Sequence, residues 1–175
     1  PSTLLDHVVG AGKTGTMLMA AMELRRLGLV RQPWIVVPNH IIEQVGREAK
    51  QWYPAANVLL GSSATTAEGR RRFIAQSAAS EWDMVIVPQS AFTAINVSND
   101  VRTAYAEKQL DELRAQLQDS TVERSQKAIM RAIKAAQARL EKLMAAETKD
   151  VGLRFEESGC DYLMIDEAHM YKNKQ

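Results

Sequence analysis

Five short apolar runs alternate with longer helix-forming stretches, and this alternation limits the fold more than any other feature of the chain. The runs lie at residues 3–5, 34–37, 58–60, 84–87 and 162–165, and Asp6, Pro38, Gly61, Pro88 and Asp166 close them. They are too short for buried helices and carry no polar alternation, so they read as strands buried on both faces. The stretches 14–27, 41–52 and 66–80 read as the helices between them. A strand apolar on both sides needs cover on both sides, which predicts an α/β fold with a parallel sheet and helices on both faces. Ligands of such sheets sit at the carboxyl ends of the strands.

One segment breaks the alternation. From residue 100 to 149 there is no strand pattern, little Gly or Pro, and much Ala, Glu, Lys, Arg, Gln and Leu, a composition that favours helix. Ala106, Leu110, Leu113 and Leu117 recur at four-three-four spacing, and Ile129, Ile133, Ala136, Leu140 and Leu143 resume it after a polar gap. Within the gap Ser120 and Glu123 have capping-box spacing. The expectation is an inserted antiparallel helical hairpin, with one continuous helix as the alternative. The chain then divides into residues 1–99, the hairpin at 100–149, and residues 150–175.

Two motifs carry chemistry. Gly10, Ala11, Gly12, Lys13 and Thr14 follow the first apolar run. Residues without large side chains let backbone N–H groups approach phosphate oxygens at a helix N-terminus. Lys13 would reach the β and γ phosphates, and the Thr14 hydroxyl would ligate magnesium. The phosphate-loop pattern has glycine where this chain has His7. A Gly-rich turn with an exposed lysine is the plainer alternative.

The second motif, Asp166-Glu167-Ala168-His169, follows the last apolar run. A strand there would deliver Asp166 to hold magnesium and Glu167 to orient and deprotonate the attacking water. His169 would couple this site to a neighbouring motif. The two motifs are complementary halves of one Mg-ATP site, which makes Lys13, Asp166 and Glu167 the expected catalytic residues.

Composition excludes several classes. A net charge of +1 gives no global basic field, so nucleic-acid contact must come from local patches. One cysteine, Cys160, excludes an internal disulfide framework and a cysteine-rich zinc site. No apolar stretch is long enough to cross a membrane, and no signal-peptide pattern opens the chain. The expected compartment is the cytoplasm. Arg70, Arg71 and Arg72 form the densest cation run, read as a solvated helix face. Trp34, Trp52 and Trp82 each border an apolar element and read as core or rim packing, and Met17, Met19 and Met22 as core filler.

The loop at residues 10–14, the strand Trp34-Ile35-Val36-Val37-Pro38, the segment Val85-Ile86-Val87-Pro88-Gln89-Ser90, and Asp166-Glu167-Ala168-His169-Met170-Tyr171-Lys172-Asn173 together resemble superfamily 2 helicases. Lys172-Asn173 match the spacing of the Swi/Snf-like branch. The resemblance leaves out only the helical segment. It implies the first of two RecA-like lobes, with the P-loop NTPase fold and ATP as the nucleotide. It places Pro38, Asn39 and His40 at the family's first nucleic-acid motif, and Gln89 and Ser90 at the next. Such contacts go to backbone phosphates, with double-stranded DNA as the implied track. The family has Ser or Thr where this chain has Asn39, and Asn39 also suits a helix cap. An insertion before the acidic box is similar to that of large phage and plasmid proteins joining such a motor to a DNA adenine methyltransferase. That implies a bacterial or phage-infected cell and association with the nucleoid.

The chain opens on Pro1 and stops soon after the acidic box, so it reads as a fragment. Hydrolysis is expected to need the second lobe, which would supply an arginine finger, and the isolated chain to be nearly inactive. Two other readings stay open: a phosphate-loop ATPase acting on protein partners, and an ATPase-like interaction module whose hairpin docks proteins. The hairpin could grip DNA, dock a partner domain or brace the sheet.

Overall fold

The computed structural model describes residues 3–8, 10–95, 97–119, 123–145 and 154–171. Four strands form one all-parallel sheet: β1 (Pro33–Val37), β2 (Val58–Leu60), β3 (Met84–Pro88) and β4 (Tyr162–Ile165), in the order β2-β3-β1-β4. Around them lie α1 (Lys13–Arg26), α2 (Ile42–Trp52), α3 (Ala67–Ala79) and the short α4 (Gln89–Thr93). The α/β expectation is met. Boundaries agree with the expected ones to within a residue or two, and the 3₁₀ turns Asn39–Ile41, Phe155–Glu157 and Ala168–Tyr171 are additional.

The central strand β1 is buried along its whole length, and its side chains alternate between two cores, as strand geometry requires. Ile35 and Val37 join Leu18, Ala21, Ile42, Val45, Ala49, Met84 and Ile86, so α1 and α2 cover one face. Trp34 and Val36 join Leu59, Phe73, Ile74, Val85, Val87 and Ala91, so α3 and α4 cover the other. The path from β1 to β2 and the path back to β3 run in opposite directions along the sheet. Right-handed crossovers in both directions put their helices, α2 and α3, on opposite faces. Trp34 fills its core with edge-on rings from Phe73 and Phe155, at 5.4 and 5.6 Å.

Polar contacts fix how β1 and β4 enter the sheet. The buried Gln32 donates through Nε2 to Ser77 Oγ (2.7 Å) and to the Ser158 carbonyl (2.8 Å). The Asp161 carboxylate accepts from the backbone N–H groups of Arg31 (2.6 Å) and Gln32 (2.9 Å). Arg25 pairs with Asp83 at 2.7 Å, joining the last turn of α1 to the start of β3.

The expected strand at residues 3–5 is not formed. Leu4 and Leu5 are 83% and 58% exposed, and among the described residues β4 is laddered only to β1. A three-residue run with no apolar cover gains too little burial to offset the entropy of ordering it. The methionines of α1 also divide: Met17 and Met22 pack on the core, whereas Met19 is exposed. Trp34 is core. Trp52 is half exposed and meets Gly15 so closely that a Cβ there would strike its ring. Trp82 donates its indole N–H to the Gln76 carbonyl.

The chain divides into two compact units, Pro1–Asn96 with Leu153–Gln175, and Val97–Gly152. In the second, α5 (Asn99–Asp119) and α6 (Glu123–Ala145) pack on each other, so the segment is two helices and not one. A three-residue link forces them antiparallel. The expected seam is the shielded face: Ala106 and Leu110 are buried, and Leu113, Leu117, Ile129, Ile133, Ala136 and Leu140 are half-buried. Ser120 of the expected capping box lies outside the described residues.

The sheet unit is closed without the hairpin, because Phe92 and Phe155, on either side of the insertion, meet edge-on at 5.8 Å. Replacing residues 97–152 by a Gly/Ser linker of about four residues should therefore leave one cooperative urea transition, followed by tryptophan fluorescence. Burial also pushes the Cys160 thiol up from 9.0 to about 12, the largest of its influences. Its folded-state value lies above the unfolded one, so the stabilisation is complete below pH 9 and is lost between pH 9 and 12. At pH 9 iodoacetamide should alkylate the native thiol far more slowly than the urea-unfolded one.

Candidate nucleotide site

The turn into α1 is built for close approach. Gly10 and Gly12 both adopt left-handed backbone, with φ 84° and 79°, which other residues reach only at a cost of about 1–2 kcal/mol. Nothing lies within 4 Å of where a Cβ would stand on either, and the Ala11 N–H bonds back to the Val8 carbonyl at 3.2 Å. Gly12 is the N-cap of α1, which has no side-chain cap and no acidic residue in its first turn. The first N–H groups of α1 therefore have no carboxylate of their own to accept them. A helix start of this kind suits an anion.

Lys13 and Thr14 open that helix, both half-buried. Lys13 Nζ stands 3.6 Å from Glu167 Oε1, although 153 residues separate them in the chain. Glu167 has φ 53°, the one non-glycine residue with positive φ among those described. Strain of this sort is retained where surrounding contacts over-determine it. Here they include the Glu167 N–H on Asp166 Oδ1 (3.0 Å), the Met170 N–H on the Glu167 carbonyl (3.0 Å), and His169 Nδ1 at 3.0 Å from Glu167 Oε2. The carboxylate is thus held between a lysine and a histidine. Both partners of the lysine pair are partly exposed, and such pairs contribute little stability, so an incoming phosphate can take the lysine.

Asp166 stands where β4 leaves the sheet, with its N–H on the Val36 carbonyl of β1 at 2.8 Å. Its carbonyl accepts Gln89 Nε2 at 3.0 Å, a link from the start of α4 to the acidic turn. Asn39, just past β1, accepts the Ser90 N–H on Oδ1 at 3.1 Å. Asn39 therefore caps α4 across the sheet edge, and α2 begins with no side-chain cap. Pro38, Asn39, His40, Gln89 and Ser90 all fall at the carboxyl ends of the neighbouring strands β1 and β3, whose register pairs Val37 with Pro88. Residues 38–40, 89–90 and 166–169 thus share one edge of the sheet, with Lys13 against it.

The sequence suggests a nucleic-acid contact for Gln89 and, for Asn39, a contact or a cap on the helix beginning near Ile41; the bonds to Asp166 and Ser90 have no periodic signature, and Asn39 caps α4 instead. Lys172 and Asn173, which carry the Swi/Snf-like spacing, lie outside the described residues. The arginine run is engaged on α3: Arg72 pairs with Glu68 at 3.1 Å, and Arg70 donates to the Thr65 carbonyl at 3.2 Å. Among the described residues no cluster of three His, Cys, Asp or Glu could hold a metal alone. One carboxylate and one hydroxyl suit magnesium, which is bound largely through substrate phosphates and water.

The fold and this edge define an α/β protein with a glycine turn, a helix start and a strand-end carboxylate pair set together. A family model described as a probable helicase domain matches residues 2–175, and the chain belongs to that family. Comparisons with curated proteins and with solved structures give no match. No helix of the described residues is long and apolar enough to cross a membrane.

The cap assigned to Asn39 is separable from any ligand role. Asn39→Ala should destabilise the fold by about 1 kcal/mol, as loss of a helix cap does, whereas the exposed His40→Ala should stay within about 0.5 kcal/mol of the parent. Urea denaturation of the three proteins checks both.

Proposed function

We propose that the chain is the nucleotide-binding lobe of a nucleic-acid-dependent ATPase of superfamily 2, of the Swi/Snf-like branch, and that it works with a second RecA-like lobe. Membership of the probable helicase family supports a helicase-like role. The observation that carries the finer reading is the meeting of Lys13 and Glu167 beside the uncapped start of α1. Distant segments have no need to bring a lysine and a strained glutamate together for stability alone.

In this reading the N–H groups of residues 10–14 and the Lys13 ammonium bind the phosphates of ATP. Thr14 Oγ1 and Asp166 would hold magnesium, which would supply charge neutralisation at the phosphates. Substrate and Glu167 compete for Lys13. When the lysine turns to the phosphates it frees Glu167 Oε1, which can then accept the proton of an attacking water. His169 keeps its hold on Oε2 and so orients the free oxygen. Gln89 holds the peptide of Asp166, so a phosphate backbone bound along residues 38–40 and 89–90 presses on the segment that carries the metal ligand. DNA binding and hydrolysis are coupled through that bond. A second lobe supplies the arginine that completes charge stabilisation, and a methyltransferase domain in the same polypeptide would be carried along the DNA.

Calorimetry with Mg-ATP tests the site. Lys13→Ala should weaken binding at least tenfold, and affinity equal to the parent's would remove the assignment. In a protein that contains both lobes, Glu167→Gln should keep ATP affinity within a few fold while lowering DNA-stimulated kcat by about 10²-fold or more, in line with loss of a general base.

A further inference from the structure

The residues assigned to the nucleotide site all belong to the sheet unit, and the charge of the helical hairpin is unevenly divided. α5 carries five acidic and three basic residues, whereas α6 carries two acidic and six basic. Both acids of α6, Glu123 and Glu141, lie near its ends, and every Asp, Glu, Lys or Arg at residues 124–140 is cationic. The chain's net charge of +1 conceals this segregation.

The cations of α6 form a row. Lys127, Arg131 and Lys134 succeed one another at four and three residues, the spacing of one helix face, and Lys142 continues that side about two turns on. Ile129, Ile133, Ala136 and Leu140 are half-buried in the seam, and the row lies on the opposite side, with Lys127, Arg131, Lys134 and Lys142 exposed. From Lys127 to Lys142 the row spans roughly 22 Å at the rise of an α-helix. Ala128, Ala132, Ala135 and Ala138 are exposed beside it, and such small side chains let a bulky polyanion come close.

We propose that this face of α6 binds the phosphate backbone of nucleic acid. Charge complementarity selects a polyanion, and the helicase family to which the chain belongs selects nucleic acid. An acidic protein fits less well. Protein interfaces centre on buried aromatic or apolar anchors, and the row has no aromatic residue, with Met130 alone as a large apolar side chain at its margin. The acidic α5 repels phosphate from its own exposed side and so gives the hairpin one binding direction. Contact of this kind is independent of sequence and supplies grip rather than specificity. No residue is shared with the nucleotide site, so the surface stands or falls apart from that reading.

Fluorescence anisotropy of the 175-residue chain with a labelled duplex, from about 50 to 200 mM KCl, tests it. Arg131→Ala/Lys134→Ala should lower the slope of log Kd on log salt by about two. The same rise in salt should then weaken the parent roughly tenfold more than the variant. Alanine favours helix, so circular dichroism should be unchanged. Arg70→Ala/Arg72→Ala on α3 should keep the parent's slope. A slope change of about 1.4 on a single strand, with none on duplex, would assign the surface to single-stranded nucleic acid and still carry the proposal. A parent that does not bind, a double variant with the parent's slope on both strands, or tighter binding of polyglutamate than of DNA would overturn it. Calorimetry separates the two readings: the double variant should bind Mg-ATP as the parent does, whereas an unaffected Lys13→Ala with an intact salt slope would remove only the nucleotide assignment.

Discussion

Burial of β1 on both faces and both edges is the constraint on which the rest of this structure depends. All five of its residues are inside, and they feed two separate cores. A strand in that position cannot shift register by one residue without exchanging its two sets of side chains between cores. Its register with β3 and β4 is therefore fixed, and so are the ends of all three strands. Residues 38–40, 89–90 and the acidic turn at 166–169 hang from those ends. The residues after β1, β3 and β4 meet because the strands before them cannot slide.

The same rigidity lets weak polar contacts carry meaning. Gln89 reaches the carbonyl of Asp166, and Asn39 reaches the N–H of Ser90, each across a gap set by the sheet. A neutral hydrogen bond contributes only about 1 kcal/mol, too little to build an edge but enough to bias a turn that already carries a residue in left-handed backbone. Glu167 is that residue. Its carboxylate is shared by Lys13 and His169, and the peptide that joins it to Asp166 accepts Gln89 from the start of α4.

Much of the sheet unit was legible in the sequence because hydrophobic period is local. The runs around Trp34, Leu59, Ile86 and Met164 are apolar without alternation, and that pattern belongs to strands covered on both sides. Leu4 and Leu5 have the same local look and form no strand, since a strand also needs a partner and a cover that no run of three residues encodes. The seam of the hairpin was legible for the same reason: Leu110, Leu113 and Leu117 repeat at helical spacing. The bonds of Gln32, Asn39 and Gln89 were not. Each joins a side chain to a backbone group at least 45 residues away, and only the folded sheet brings the partners within reach. The glycine turn and the acidic pair were visible as motifs, but their meeting depends on β4 pairing with β1, a long-range event.

The hairpin shows how little of its length the fold requires. Parallel strands such as β3 and β4 need a crossover of about a dozen residues, and α4 with the turn Phe155–Glu157 already supplies cover for the sheet. Phe92 and Phe155 close that cover ring to ring, so the chain leaves and re-enters the sheet unit at one place. Two further helices of 21 and 23 residues form a compact unit of their own. They bury a narrow seam of Ala, Leu and Ile, and a seam could be built from any distribution of surface charge. The distribution found is segregated, with most of the cations on one helix and most of the acids on the other. Packing does not call for that pattern, whereas a polyanion that must approach from one side does.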